Sequence, residues 1–129
     1  HMEPDYVTVR VSDDNTVEGG CRAARELLNA AEPPTGIVAF NDFLALGVME
    51  AAEEKGLSVG RDISIVGFDN ILFAALPQIR LTTITPSKQD LAYRAVDLAL
   101  GKSGLDRELI LPPGLLLRES CGNISFTAE

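Results

Sequence analysis

Two short apolar runs, Gly36–Phe40 and Ile63–Phe68, are separated by a segment with helical spacing, and this alternation constrains the fold most. A continuous apolar run of this length reads as a strand buried on both faces. The segment between them opens at Asn41-Asp42, which supplies capping side chains, and runs to about Lys55, where Gly56 ends it. Strand, helix, strand in this order predicts an α/β domain whose parallel sheet carries helices on both faces, a three-layer arrangement.

The flanks extend the pattern. In Tyr6–Val11, Val7, Val9 and Val11 alternate with Thr8 and Arg10, the period of a strand with one wetter side. Ser12-Asp13-Asp14-Asn15 breaks it, and a helix is expected from about Thr16 to Ala31, with Ala23, Ala24, Leu27, Leu28 and Ala31 on one stripe and Pro33-Pro34 as its stop. Downstream, Leu81–Ile84 reads as a strand. Thr85-Pro86-Ser87 opens a helix from about Lys88 to Leu100, and Ser87 and Asp90 have capping-box spacing. Gly101–Gly104 reads as a turn, and Arg107–Leu111 and Leu115–Arg118 as strands split by Pro112-Pro113-Gly114.

Composition excludes several functions. With 129 residues and 46% hydrophobic content, the chain suits one domain with a real core. Nineteen acidic against eleven basic residues give a net charge of −8, which disfavours phosphate-backbone binding by this chain alone. No apolar run is long enough for a membrane span, and none has the form of a signal peptide. His1 is the only histidine, and His1-Met2 reads as a cloning scar, so His-based catalysis or metal binding is not expected. Cys21 and Cys121 belong to no CxxC or Cys/His cluster and are expected as reduced thiols, with no zinc and no cofactor. Gly101-Lys102-Ser103 is not a phosphate loop, because the Gly required five residues earlier is Val96.

Polar residues gather where the strands should end: Asp13, Asp14 and Asn15, then Asn41 and Asp42, then Asp69 and Asn70. Open parallel sheets bind ligands beyond the carboxyl ends of their strands, and carboxylates and amides there suit a hydroxyl-rich ligand. Helix capping alone accounts for Asp42 and Asn15, and loop solvation for Asp13 and Asp14. Asp69 has no clear helix to cap. The segment Phe43–Ala52 has almost no polar face: Ala45, Val48, Met49 and Ala52 can pack on the sheet while Phe43 and Leu46 point elsewhere. Either the loop Ile71–Pro77 covers them or a second subunit does, and the interface is the favoured reading.

From Pro34 to Gly47 the sequence Pro34-Thr35-Gly36-Ile37-Val38-Ala39-Phe40-Asn41-Asp42-Phe43-Leu44-Ala45-Leu46-Gly47 resembles a characteristic segment of the LacI/GalR (lac-repressor) family of transcription regulators. Glu54–Asn70, Leu81-Thr82-Thr83-Ile84 and Leu117–Gly122 match in order, and Gly19–Leu28 resembles the helix that precedes them. The resemblance implies a periplasmic-binding-protein-like (type I) effector domain, of which residues 5–122 form the C-terminal lobe, after a scar and leader at 1–4 and before a tail at 123–129. Residues 85–112 resemble a segment that belongs to the N-terminal lobe, which is mostly missing here along with the DNA-binding head. The apolar face of the Lys88–Leu100 helix (Leu91, Ala95, Leu98) is then expected to pack on a partner or to fold back.

The same resemblance implies effector contacts at Asn41 and Asp69 and a cleft lined by Asn15 and Thr16, where many relatives carry an Arg that this sequence lacks. Phe40 stands where relatives often carry a small residue, either stacking on a sugar ring or packing as core. The implied dimer surface comprises Phe43, Leu46, Val48, Glu50, Phe73 and Leu76. The expected function is sensing of a sugar or related polyol by a cytoplasmic, homodimeric, non-enzymatic regulator that reaches DNA only through its N-terminal head and touches no membrane. A lobe of a periplasmic sugar-binding protein is the alternative. A magnesium-dependent phospho-acceptor or phosphatase using Asp13, Asp14, Asp69 and Lys88 is a remote one.

Overall fold

The computed structural model describes residues 8–12, 14–101 and 110–122. Its elements are helix α1 (Val17–Leu28), strand β1 (Gly36–Val38), helix α2 (Asp42–Glu54), strand β2 (Ser64–Phe68), a single 3₁₀ turn (Leu72–Ala75), strand β3 (Thr82–Thr85), helix α3 (Lys88–Ala99) and strand β4 (Gly114–Leu116). The strands form one sheet in the order β1-β2-β3-β4. β1 and β3 both pair parallel with β2, while β4 returns antiparallel along β3, so the sheet is mixed rather than wholly parallel.

α1 starts where the Thr16 hydroxyl accepts the Gly19 N–H, and it buries Gly19, Gly20, Cys21, Ala24 and Leu28. It ends at Leu28, three residues short of the expected Ala31: Asn29 turns to ψ 0°, and the Ala30 N–H bonds to the Leu27 carbonyl, three residues back rather than four. α2 runs as expected, from the Asn41 cap to Lys55, with Gly56 leaving it at φ 72°. The two helices run side by side in the same direction: Gly20 lies against Leu44, and Arg25 forks onto Glu54. A Cβ on Gly47 would overlap the Val17 carbonyl, so glycine sets how closely the helices approach.

α2 covers the sheet face that carries Ile65 and Gly67; Ile65 is fully buried, and a Cβ on Gly67 would strike the Asp42 carboxylate. Ile63, Ile65, Leu81, Ala45, Val48, Ala51 and Ala52 are among the residues of the resulting core. The opposite face is only partly covered: Val38 is 77% exposed and Leu115 57%. Thr8–Val11 makes no strand. Val9 and Val11 are exposed with no ladder to join, and Tyr6 and Val7 lie outside the described residues.

α3 buries none of its residues, so it does not fold back on the domain; Leu91 and Leu98 stay exposed. Its expected capping box is not formed. Ser87 sits at the cap position with φ −71° and ψ 68°, not the extended geometry that turns a hydroxyl toward the first turn, and it makes no side-chain cap bond. The expected strand at Leu115–Arg118 is seen as Gly114–Leu116. Of the one expected at Arg107–Leu111, only Ile110 and Leu111 are described, and both are unpaired. Gly101 turns at φ 61°, while Lys102–Gly104 lie outside the described residues.

Candidate functional site

Register brings two of the expected contacts to one edge. Val38 pairs with Val66, and Asn41 and Asp69 each follow three residues later at the carboxyl ends of adjacent parallel strands. Asp69 takes φ 104° and Asn70 φ 48°, both left-handed. For a non-glycine residue such a conformation costs about 1–3 kcal/mol and persists only where neighbours enforce it. They do so here at several points. The Asp69 N–H donates to the Ile84 carbonyl at 2.9 Å, and Lys88 Nζ donates to the Asp69 carbonyl at 2.5 Å. The Asn70 N–H donates to Thr83 Oγ1 at 3.3 Å, and the Ile71 N–H to Asp42 Oδ2 at 2.8 Å. Among the described residues the Asp69 carboxylate accepts no hydrogen bond, so both its oxygens are open acceptors at this edge.

The neighbouring pair divides its work differently from the capping expectation. Asn41 is the cap, its Oδ1 accepting the Leu44 N–H at 2.9 Å, which leaves its amide NH₂ for other partners. Asp42 is fully buried; it accepts from Ile71 N and, at 2.6 Å, from the Thr83 hydroxyl. A buried carboxylate needs such donors, and Asp42 uses them to tie α2 to the turn after β2 and to β3.

The loop before α1 is organised around Asp14. Its Oδ1 accepts from the Thr16 hydroxyl at 2.6 Å and its Oδ2 from Arg22 at 3.0 Å. These bonds hold the Asp14 carboxyl below the usual range, Thr16 contributing most and Arg22 next. Thr16 therefore spends its hydroxyl within the loop, while Asn15 is exposed. Asp13 lies outside the described residues. Phe40 is 78% exposed, which excludes its reading as core. A concavity of about 370 Å³ lies beside this edge, lined by Asn70, Thr85, Pro86, Ser87 and Lys88 among others; none of the five expected contacts lines it.

Two residues that hold the edge were not singled out from sequence. Arg118 donates to the Asn70 Oδ1 at 2.9 Å and to the Leu81 carbonyl at 2.6 Å, bracing the turn from behind. Ser120, buried, accepts from Thr82 N and donates to the Ile65 carbonyl, fastening the C-terminal segment to β2 and β3. Neither has a local signal, since both partners lie dozens of residues earlier in the chain.

The apolar surface of α2 is smaller than expected. Val48 is 5% exposed and belongs to the core, so its side chain is unavailable to a subunit surface. Phe43 at 44% and Phe73 at 51% remain outward, with Leu46 and Leu76 half-buried and Glu50 exposed. Cys21, Glu50 and Glu54 approach one another, but both Glu54 oxygens accept from Arg25, and burial pushes the Cys21 thiol up, so the thiolate a metal requires is disfavoured. The phospho-acceptor alternative is not favoured: Asp14 is tied to Thr16 and Arg22, and Lys88 is turned onto a backbone carbonyl.

Residues 3–121 match the periplasmic binding protein-like domain family. The chain is 38% identical over 114 residues to the HTH-type transcriptional repressor PurR of Actinobacillus pleuropneumoniae serotype 3 (strain JL03), covering 84% of this chain and 34% of that protein. It superposes on a LacI transcriptional regulator from a Rhodococcus species with a TM-score of 0.76 at 38% identity, covering 83% of this chain and 41% of the other. It superposes on a dimeric Lac repressor lacking 11 C-terminal residues with a TM-score of 0.73 at 31% identity, covering 82% and 40%. The chain belongs to the periplasmic-binding-protein-like domain family, in the form carried by LacI-type transcriptional regulators. It corresponds to the C-terminal part of their effector-binding domain and spans well under half the length of these relatives.

Proposed function

We propose that this chain forms one wall of a small-molecule cleft in a LacI-type regulator and that the ligand is a sugar or related polyol. The observation that carries this is the Asp69 carboxylate, without a partner among the described residues, on an enforced left-handed turn level with Asn41 at the carboxyl edge of the parallel strands. A carboxylate accepts from two vicinal hydroxyls, and the Asn41 amide offers the donor that a ring oxygen or hydroxyl needs. Phe40, exposed beside them, supplies a face for the apolar side of a sugar ring, and Asn15 and Thr16 flank it at the start of α1.

In this proposal the ligand is gripped between this lobe and an N-terminal one, to which residues 85–112 would contribute. Closure biases the attached DNA-binding heads between two states, with a coupling of about 1–3 kcal/mol. The outward set Phe43, Leu46, Phe73, Leu76 and Glu50 makes the homodimer surface, in keeping with the dimeric Lac repressor among its structural neighbours. No helix among the described residues is long and apolar enough to cross a membrane, and the proposed site of action is the bacterial cytoplasm.

The test is an NMR titration of the 129-residue chain with D-glucose, D-galactose and D-ribose. Millimolar binding with shifts at Asn41 and Asp69, abolished in Asp69→Ala, supports one wall of a sugar cleft. Nanomolar affinity overturns the half-site, and no shift with any of the three overturns the sugar.

A further inference from the structure

We propose that Thr83 is the positioning residue of this edge: its buried hydroxyl, set between the Asp42 carboxylate and the Asn70 amide, holds the turn that presents Asp69. This rests on the reading of the edge as a ligand wall. Thr83 is fully buried, and so is Asp42. A hydroxyl has one proton and two lone pairs, whereas an ionised carboxylate only accepts. The 2.6 Å bond to Asp42 therefore takes the Thr83 proton and turns a lone pair toward the Asn70 N–H, 3.3 Å away. The other oxygen of Asp42 takes the Ile71 N–H at 2.8 Å. Two successive amides of the turn are thus fixed by one buried pair that joins β3 to the first turn of α2.

The consequence is shared position. The first turn of α2 follows Asn41, and the turn after β2 starts with Asp69, so the Thr83–Asp42 pair sets the spacing between the two proposed contacts. Arg118 cannot substitute, because in the turn itself it reaches only the Asn70 side chain and not its amide, at a half-buried site where water can replace it. Valine at position 83 keeps the branched shape but removes the bond; serine keeps the bond.

The experiment is amide hydrogen exchange by NMR on the wild-type chain and on Thr83→Val and Thr83→Ser. The expected result is exchange at Asn70 and Ile71 accelerated in Thr83→Val by about tenfold or more beyond any acceleration at the core amides of Ala51 and Ala52, with restoration in Thr83→Ser. Unchanged exchange at Asn70 in Thr83→Val overturns the proposal, and so does equal acceleration at Ala51 and Ala52, which marks a merely structural loss. If Thr83→Val does not fold, the wild type decides: a slowly exchanging Thr83 hydroxyl proton with a nuclear Overhauser contact to the Asn70 amide supports it, and its absence overturns it. A protected turn with no D-glucose, D-galactose or D-ribose shift at Asp69 supports the positioning while the ligand reading falls.

Discussion

The Asp42 carboxylate accepts a 2.6 Å hydrogen bond from the Thr83 hydroxyl across 41 positions of sequence, with both residues excluded from solvent. Asp42→Ala takes the acceptor from the half-buried Ile71 N–H and leaves the buried Thr83 hydroxyl only the Ile84 carbonyl, at 3.4 Å. The expected loss is about 2–4 kcal/mol in urea unfolding monitored by circular dichroism. A midpoint within error of wild type would show that water or a neighbour replaces the carboxylate.

Asn41 has two roles that substitutions can separate. Asn41→Ala removes the cap and should cost about 1 kcal/mol, whereas Asn41→Ser keeps a capping oxygen and should stay within a few tenths of wild type. Both remove the amide NH₂. Sugar shifts lost in both variants, with stability lost in only one, are the outcome expected of a ligand contact; shifts surviving in Asn41→Ser would remove Asn41 from the site.

Gly47→Ala should destabilise by about 1–3 kcal/mol, because a Cβ there overlaps the Val17 carbonyl and lies 2.5 Å from the Cys21 nitrogen, and backbone yields less readily than side chains. Gly56→Ala tests a different cost: nothing lies within 4 Å, so only the positive φ opposes it, by about 1 kcal/mol. Thermal melts of the two variants should rank in that order.

Acid should weaken the fold through three exposed carboxylates. The Arg61 guanidinium, with the Ser58 N–H, holds Asp62 at about 2 against an ordinary 3.8. Glu54 is lowered by Arg25, and Asp14 by Thr16 and then Arg22. Because folding depresses these values, the unfolded chain binds more protons below about pH 4, and the stabilisation is present in full above the ordinary values. It is lost as pH falls from about 4 toward 2, and raising salt to about 1 M should shrink the change, since every one of these pairs meets water. A melting temperature flat from pH 5 to 2.5 would contradict this.

α3 should open far more readily than α2. Its twelve residues bury no side chain and its cap makes no side-chain bond, and isolated helices of that length are marginal in water. Exchange at Leu91–Ala99 near coil rates, with Ala51 and Ala52 protected, is expected; equal protection would mean that a second chain covers the Leu91–Leu98 face.

Periodicity and spacing by themselves determined the strand–helix–strand unit from Gly36 to Phe68, the Asn41 cap, the Gly56 stop and the edge on which Asn41 and Asp69 meet. Those features are local: a cap bonds within its own first turn, and a parallel crossover leaves both strand ends on one side. Tertiary structure decided the rest. Asp42 reads locally as a cap, yet only the arrival of Thr83 and Ile71 makes it the buried acceptor of the site. Helical spacing puts Val48 on the stripe that faces the sheet, whereas the resemblance implied it in the dimer surface; packing on the sheet assigned it to the core. Tyr6–Val11 has strand alternation, but a strand exists only with a partner ladder, and Val9 and Val11 find none. Arg118 carries no local sign of its role because its partners, Asn70 and Leu81, lie far back along the chain. A hydrogen bond between distant residues depends on where the whole fold places both ends.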